Sequence, residues 1–235
     1  MNMLAIDTSN QVLGVALMRQ NDIVAELTTN IKKDHSSRLM PAIVDIMEKV
    51  SMTPNQLDHI IVANGPGSYT GTRIGVTTAK TMAWTLDIPI TPISSLQILA
   101  ANGSYFNGYI CPFIDARRKT VYTGLYQWSD GQLKKVKQET NIYMETWLSE
   151  LDSVKDPILF ISPDVQTFES MIKDKLSYAV IPTNQASHLL RPSNLFMLKD
   201  SVPAVPVHEA VPNYLRVTEA EANWMKQQKD GPNHG

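Results

Sequence analysis

Cysteine is nearly absent from this chain of 235 residues, in which Cys111 is the single thiol. One cysteine cannot form an internal disulfide, and this indicates a reducing compartment. Its position in an apolar run predicts a small core residue rather than a nucleophile. No apolar run approaches the length that crosses a membrane, and no signal peptide precedes Asp7. We therefore expect a cytoplasmic protein with no membrane partner.

A strong charge of either sign is also missing. The chain has 21 Lys and Arg against 23 Asp and Glu, a formal net charge of −2. Such a chain has no basic field that would attract nucleic acid by itself. Hydrophobic residues make up 43% and charged residues 19%, which is ordinary for a globular protein and sufficient for a core. The length suits one large domain or two small ones.

The common motifs for metal and phosphate binding are absent as well. Neither a Walker A motif nor GxGxxG occurs in the glycine-rich stretch at residues 65–75, and no HExxH motif is present. No Gly-Gly pair occurs anywhere, and no glycine lies between Gly131 and Gly231. The histidines are scattered singly, which is not the spacing of a metal site. They are His35, His59, His188, His208 and His234.

What is present is a glycine-rich loop at residues 65–75, between an apolar run at 59–63 and a helical pattern at 76–86. A strand, a glycine loop and a helix start form the order that points backbone N–H groups at an anion. The alternative is that the glycines make a tight turn and let the helix pack close to its neighbours. Both interpretations are open at the level of the sequence.

The predicted elements form two series with the same order. Three strands, a helix, a strand and a helix precede residue 105, where turn signals at Asn102-Gly103-Ser104 and Asn107-Gly108 mark a boundary. After it the order of strands and helices begins again. The first series has strands at 3–8, 12–18 and 23–29 and a helix at 35–50; the second has strands at 109–114, 120–128 and 132–138 and helices at 144–152 and 165–176.

The glycine-rich stretch also carries a family resemblance. Its sequence, GPGSYTGTRIG at residues 65–75 with Ala79-Lys80 beyond it, is similar to the signature of the TsaB (YeaZ-type) family. Weaker agreement is found at residues 4–9, 35–41, 115–118 and 212–216, in the expected order. The resemblance therefore covers nearly the whole chain.

The resemblance implies a fold and its division. It implies the actin/hexokinase-like (ASKHA, ribonuclease H-like) fold, an α/β architecture with two duplicated modules of mixed sheet and helices. We expect the first module at residues 1–104 and the smaller second module at 105–215. A C-terminal helix at 216–228 is expected to return to the first module, and residues 230–235 are expected to fray.

The resemblance also implies a function. Members of the family act with the paralogous TsaD and the small ATPase TsaE to form threonylcarbamoyladenosine (t6A) beside the tRNA anticodon. The implied role is a non-catalytic subunit that supports transfer of threonylcarbamoyl from threonylcarbamoyl-AMP to N6 of the tRNA adenosine. Contact with tRNA is expected only indirectly, through the complex. The alternative is an ATP- or metal-dependent enzyme of the same fold, peptidase-like or a small-molecule kinase.

Residues 94–99 bear on the choice between these functions. The catalytic paralogue in the resembling family has Asn-His-x-x-x-His here, and its two histidines bind the metal. In this chain Ser95 and Leu99 occupy the ligand positions, and leucine cannot bind a metal. We therefore expect no catalytic residue, no cofactor and no metal site in this chain.

Each of two polar turns can be interpreted in two ways. Asp7 follows the first strand, where actin-like ATPases hold phosphate and metal, but an aspartate there can equally cap its own turn. Arg117 and Arg118 lie in the first turn of the second series. They can hold an anion or a partner's acidic groups, or they can be solvated.

Two helices of the first module are predicted to form a partner surface. The helix at 35–50 has apolar residues over roughly 200° of its circumference, about twice what a one-sided surface helix needs. The helix after the glycine loop has small residues on one face and a tryptophan, a typical interface anchor, on the other. We expect a TsaD-type paralogue or a second copy of the chain to bind there, in competition. The candidate contact residues are Leu39, Ile43, Met47, Val76, Met82 and Trp84.

Overall fold

The computed structural model describes residues 1–31 and 34–215. Its first sheet contains β1 (Asn2–Asp7), β2 (Val12–Arg19), β3 (Asp22–Asn30), β4 (His59–Ala63) and β5 (Ile90–Ile93). The strand order is β3-β2-β1-β4-β5, in which β1, β2 and β3 are antiparallel neighbours while β4 and β5 run parallel to β1. The three predicted strands of the first series are therefore confirmed.

The second sheet repeats this plan. It contains β6 (Tyr109–Asp115), β7 (Thr120–Ser129), β8 (Gln132–Tyr143), β9 (Ile158–Ile161) and β10 (Ala179–Val180). The order is β10-β9-β6-β7-β8, again with an antiparallel meander followed by two parallel strands. Because each strand has its counterpart in the first sheet, the predicted duplicated α/β fold is confirmed.

The helices lie between and outside the sheets. They are α1 (Leu39–Lys49), α2 (Tyr69–Leu86), α3 (Ser95–Ala100), α4 (Met144–Leu151), α5 (Val165–Lys175) and α6 (Asn194–Leu198). The prediction of a helix from residue 35 was too long, because α1 begins only at Leu39. Pro41 then lies in the first turn, where backbone N–H groups have no partner within the helix, so its missing N–H costs no hydrogen bond.

The two sheets share one central core. Residues of β1 and β6, such as Ala5 and Ile110, belong to the same buried cluster as Leu96 of α3 and Leu195 of α6. The outer face of the first sheet is covered by α1 and α2, and that of the second by α4 and α5. Cys111 is fully buried in the second of these outer cores, as predicted.

Residues 202–215 return from the second module to the first. The backbone N–H of Val205 donates to Ile90 O at the edge of β5 (2.9 Å), and Ala210 is fully buried in the outer core of the first module. The N–H of Asn213 donates to Asn64 O at 2.7 Å, just before the glycine loop. The predicted helix at 216–228 and tail at 230–235 lie outside the described residues. No helix of the described part has both the length and the apolarity to cross a membrane.

Candidate functional site

Asp7 lies at the carboxyl end of β1 and is 1% exposed. Its Oδ1 accepts hydrogen bonds from the backbone N–H of Ser9 (2.9 Å) and from Ser9 Oγ (2.8 Å), and its Oδ2 is buried with no partner among the described residues. Burial raises the pKa of Asp7 to about 6, although the two bonds from Ser9 and the charge of His35 lower it in part. The hydrogen bonds confirm that Asp7 caps its own turn.

The glycine loop packs directly against this turn. A Cβ at Gly67 would overlap Ser9 O, and a Cβ at Gly71 would overlap Thr8 O. Hydrogen bonds hold the contact closed, because Ser68 N donates to Ser9 O (2.6 Å) and Thr8 Oγ1 donates to Gly71 O (2.7 Å). Of the two interpretations of the loop, close packing is confirmed. The N–H of Ser68, which an anion-binding loop would offer to a phosphate, is already used within the chain.

Ser95 and Leu99 are both fully buried. The hydroxyl of Ser95 donates to Ser9 Oγ at 2.7 Å and so extends the chain of hydrogen bonds that ends on Asp7. Leu99 packs in the central core. Among the residues that the structure describes, no three His, Cys, Asp or Glu side chains are grouped so that they could hold a metal ion.

A cleft of about 550 Å³ separates the glycine loop from the second module. Asn10 and Ser68 line one wall, while Asp115, Arg117 and Asp164 line the other. Asp164 Oδ2 accepts a hydrogen bond from the N–H of Asp115 (2.9 Å), and burial raises the pKa of Asp164 more than this bond lowers it. This wall therefore places two carboxylates beside the guanidinium of Arg117.

The basic turn that follows β6 is exposed. Arg117, Arg118 and Lys119 all have left-handed backbone angles, with φ of 70°, 52° and 63°. The N–H of Arg117 donates to Asp115 Oδ1 at 2.8 Å, which ties the turn to the cleft wall. Whether this turn holds an anion or a partner's acidic groups stays a prediction.

The predicted partner surface needs correction at four of its six residues. Leu39, Ile43, Met47 and Val76 are at most 4% exposed and belong to the outer core of the first module. They therefore face the sheet rather than a partner. Met82 is half-buried against the same core, and Trp84 is 75% exposed. The apolar pattern of α1 does extend to a second side, because Met40 and Val44, which are not among the six candidates, are 45% and 46% exposed and form its outer face.

Two sheets of identical strand order around a shared core, with a cleft between the modules, define an actin-like protein of the ASKHA class. A family model described as "TsaD: tRNA N6-adenosine threonylcarbamoyltransferase" matches residues 22–224. Within this class the chain belongs to the TsaB (YeaZ-type) family, as the resemblance predicted.

The relatives support this assignment along the chain. The chain is 49% identical over 229 residues to the "tRNA threonylcarbamoyladenosine biosynthesis protein TsaB" of Bacillus subtilis (strain 168), over 97% of this chain and the whole of that relative. It is 31% identical over 129 residues to the protein of the same name from Escherichia coli (strain K12), over 54% of this chain and 55% of the relative. The solved structure "YeaZ from Pseudomonas aeruginosa" superposes with a TM-score of 0.79 at 25% identity, over 91% of this chain and 99% of that one.

Proposed function

We propose that the chain is a non-catalytic subunit required for t6A formation in tRNA, the process named in its Bacillus subtilis relative. The observation that carries the proposal is which residues stand at the two positions where the catalytic paralogue binds metal. Ser95 is bound to Ser9, and Leu99 packs among apolar side chains. The glycine loop also packs on Thr8, and its Ser68 N–H, which a phosphate could use, donates to Ser9 O.

The chemistry then belongs to a partner. We propose that a TsaD-type paralogue transfers threonylcarbamoyl from threonylcarbamoyl-AMP to N6 of the tRNA adenosine, and that a TsaE-type ATPase acts with the pair. The net charge of −2 supports an indirect contact of this chain with tRNA, because neutralising phosphates requires a local excess of Lys and Arg.

The outer faces of α1 and α2 are the proposed docking surface. Met40 and Val44 lie one turn apart on α1, and Trp84 lies on α2 with most of its ring in water. Large exposed apolar side chains on two helices that cover the same face of one sheet are typical of interface anchors. The TsaD-type paralogue and a second copy of this chain would then compete for one surface.

Reconstitution tests the role directly. Purified TsaD-type and TsaE-type proteins of the same organism, threonylcarbamoyl-AMP, ATP and unmodified tRNA are incubated with and without this chain, and t6A is measured by mass spectrometry of nucleosides. We expect t6A to form only when this chain is present. An undiminished rate without it would overturn the proposal.

The pure chain tests the absence of its own chemistry. We expect no turnover of ATP by the isolated protein, because Ser95 and Leu99 replace the histidine pair of the catalytic paralogue and the chain has no Gly-Gly turn to hold a nucleotide. The matched control is Asp7→Asn, which keeps the hydrogen bonds from Ser9 to Oδ1. Hydrolysis of ATP by the native chain that the Asp7→Asn variant lacks would favour an enzyme of the same fold instead.

A further inference from the structure

A groove at the junction of the modules shares no lining residue with the cleft, the glycine loop or the helices α1 and α2. It consists of two cavities of about 330 and 300 Å³, which are both lined by Ala186 and Arg191 and are therefore neighbours. We call it the junction groove. Asn102, Asn184, Asn194, Tyr105 and Met197 also line the first cavity, and Glu26 lines the second.

The wall of the junction groove is a fixed row of carboxamides. Asn102 donates through Nδ2 to Ser187 O (3.0 Å) and Leu189 O (2.8 Å), and its Oδ1 accepts from Asn194 Nδ2 at 2.7 Å. Asn194 also donates to Ile98 O at 3.1 Å. Because every donor and the Asn102 oxygen are used, the wall is rigid.

One oxygen atom of this wall accepts no hydrogen bond within the described residues. Asn194 is only 8% exposed, yet its Oδ1 accepts no hydrogen bond from any residue in the described ranges. The oxygen is not fully buried, so a molecule in the cavity can reach it and donate a hydrogen bond to it. Asn184 lies on the same cavity with its Oδ1 used by Ala186 N (3.0 Å), so its Nδ2 is free to donate outward. The groove thus offers one acceptor and one donor of the amide type.

Arg191 supplies a positioned charge where the two cavities meet. Its Nη2 donates to Glu26 Oε2 at 3.0 Å, and Ser193 Oγ donates to the same oxygen at 3.0 Å. The side chain is 57% exposed, and its other N–H donors have no partner among the described residues. A guanidinium held on one side and open on the other is suited to a carboxylate, which it can bind with two hydrogen bonds.

The rim of the groove is apolar. Tyr105 is 73% exposed and Met197 is 52% exposed, and both line the first cavity. A tyrosine gives a large contact area at low entropic cost, and an unbranched methionine adapts to the shape of what it contacts. Together they can hold an apolar side chain.

We propose that the junction groove binds an extended peptide segment of a partner protein, in which an apolar side chain lies within two residues of an acidic one. The backbone N–H of the peptide donates to Asn194 Oδ1, and a backbone C=O accepts from Asn184 Nδ2. The apolar side chain packs on Tyr105 and Met197, and the acid pairs with Arg191. One open arginine beside a half-buried glutamate gives too little positive charge for an RNA backbone, which favours the peptide.

Nuclear magnetic resonance of the full ¹⁵N-labelled chain tests this. The probes are acetylated, amidated pentapeptides with Leu or Tyr followed, one or two residues later, by Glu, together with matched peptides carrying Lys in place of Glu. We expect the Glu peptides to shift the side-chain amide signals of Asn184 and Asn194 in a saturable way. The Lys peptides should bind at least about tenfold more weakly, because they lose the charge-assisted pair with Arg191.

Variants at exposed positions keep the test independent of folding. Arg191→Gln should remove the preference for Glu over Lys, and Tyr105→Ala should weaken binding of every peptide. Tyr143→Ala, at an exposed tyrosine outside the groove, is the matched control and should change nothing. AMP and a short oligouridylate are titrated in parallel. The proposal is overturned if no peptide gives a saturable shift at millimolar concentration, if Arg191→Gln leaves the preference intact, or if a nucleotide probe shifts these amides more tightly than the peptides.

Discussion

Asp7 shows how its surroundings decide the chemistry of one residue. The same aspartate at the end of a first strand can serve a phosphate site or its own turn. Here burial raises its pKa to about 6, while the two hydrogen bonds that Ser9 donates to its Oδ1 lower the pKa in part. A carboxyl with that pKa is largely protonated in mildly acidic solution. Near neutral pH it is ionised while buried, and this lowers the free energy of unfolding.

The pKa of Asp7 predicts a pH dependence with a definite sign. Between its ordinary pKa of 3.8 and about 6, the unfolded chain loses the proton of Asp7 while the folded chain keeps it, so stability falls as pH rises through this window. Asp7→Asn should therefore be more stable than the native chain above pH 6, by roughly 3 kcal/mol, and the difference should vanish near pH 4. Urea unfolding across this pH range measures it.

The control for this prediction is an exposed carboxyl whose pKa is shifted the other way. Hydrogen bonds from the N–H and hydroxyl of Ser36 lower the pKa of Asp34. Asp34→Asn should therefore give no gain in stability with rising pH. A pH-independent difference between Asp7→Asn and the native chain would contradict the raised pKa of Asp7.

At the scale of elements, the glycine loop and α2 are built to touch the first turn. Gly67 and Gly71 carry no side chain because the backbone of Thr8 and Ser9 occupies that space. The helix then starts at once, with Ser68 Oγ accepting the N–H of Gly71 at 3.1 Å as an N-cap. The loop thereby fixes the start of α2 against the turn that follows β1.

Gly71→Ala tests this contact between the glycine loop and the first turn. The added Cβ would overlap the backbone oxygen of Thr8, so we expect a loss of roughly 1–3 kcal/mol or more in the free energy of unfolding. Gly131→Ala is the comparison, because nothing lies within 4 Å of its added Cβ and only its φ of 73° is unfavourable. Urea denaturation of both variants measures the difference. An equal or smaller loss at Gly71 would mean that the loop can open without cost.

The docking surface on α1 and α2 is tested by one exposed and one buried residue. Trp84→Glu should weaken the proposed dimer and the complex with the TsaD-type partner, by on the order of 2 kcal/mol or more, while circular dichroism stays unchanged. Met47→Asp should instead unfold the chain, because it buries an unpaired charge. Size-exclusion chromatography measures assembly, with Tyr143→Glu as an exposed-aromatic control. Unchanged assembly of Trp84→Glu would move the surface elsewhere.

At the scale of the whole molecule, the two modules are held by one core and by a returning segment. The cluster that contains Ala5 and Ile110 has residues from both sheets. Asn213 adds a polar link, because its N–H donates to Asn64 O in the first module while its Nδ2 donates to Glu139 Oε2 in the second (3.5 Å). Neither sheet can therefore be separated without exposing apolar surface.

This arrangement predicts a single unfolding transition. Because each sheet buries its inner face against the other, we expect far-ultraviolet circular dichroism and tryptophan fluorescence to report coincident urea transitions. A fragment of residues 1–104 should not fold by itself, since Leu96 and Leu99 would lose their cover. Two separated transitions, or a folded fragment, would show that the modules are independent domains.

Local patterns in the sequence determined a large part of this protein. Apolar runs and turn residues predicted every strand of the described residues except β10, and the resemblance to the family implied the lost metal ligands at Ser95 and Leu99. These features are readable because strand runs, caps and ligand types depend on neighbours in the chain. The signature at residues 65–75 also carried the family.

Only the tertiary structure decided which sides of the helices are covered and which polar groups are left over. The apolar residues of α1 cover more than one side of the helix. Periodicity therefore could not show that Met47 faces the sheet while Met40 and Val44 face water. The pKa of Asp7 depends on its burial, and Ser9, which donates to its carboxylate, packs against a loop some sixty residues away. The junction groove unites Glu26, Tyr105 and Arg191 from distant parts of the chain. Burial and long-range contact are properties of the packed chain, because they depend on which surfaces meet and not on the order of neighbouring residues.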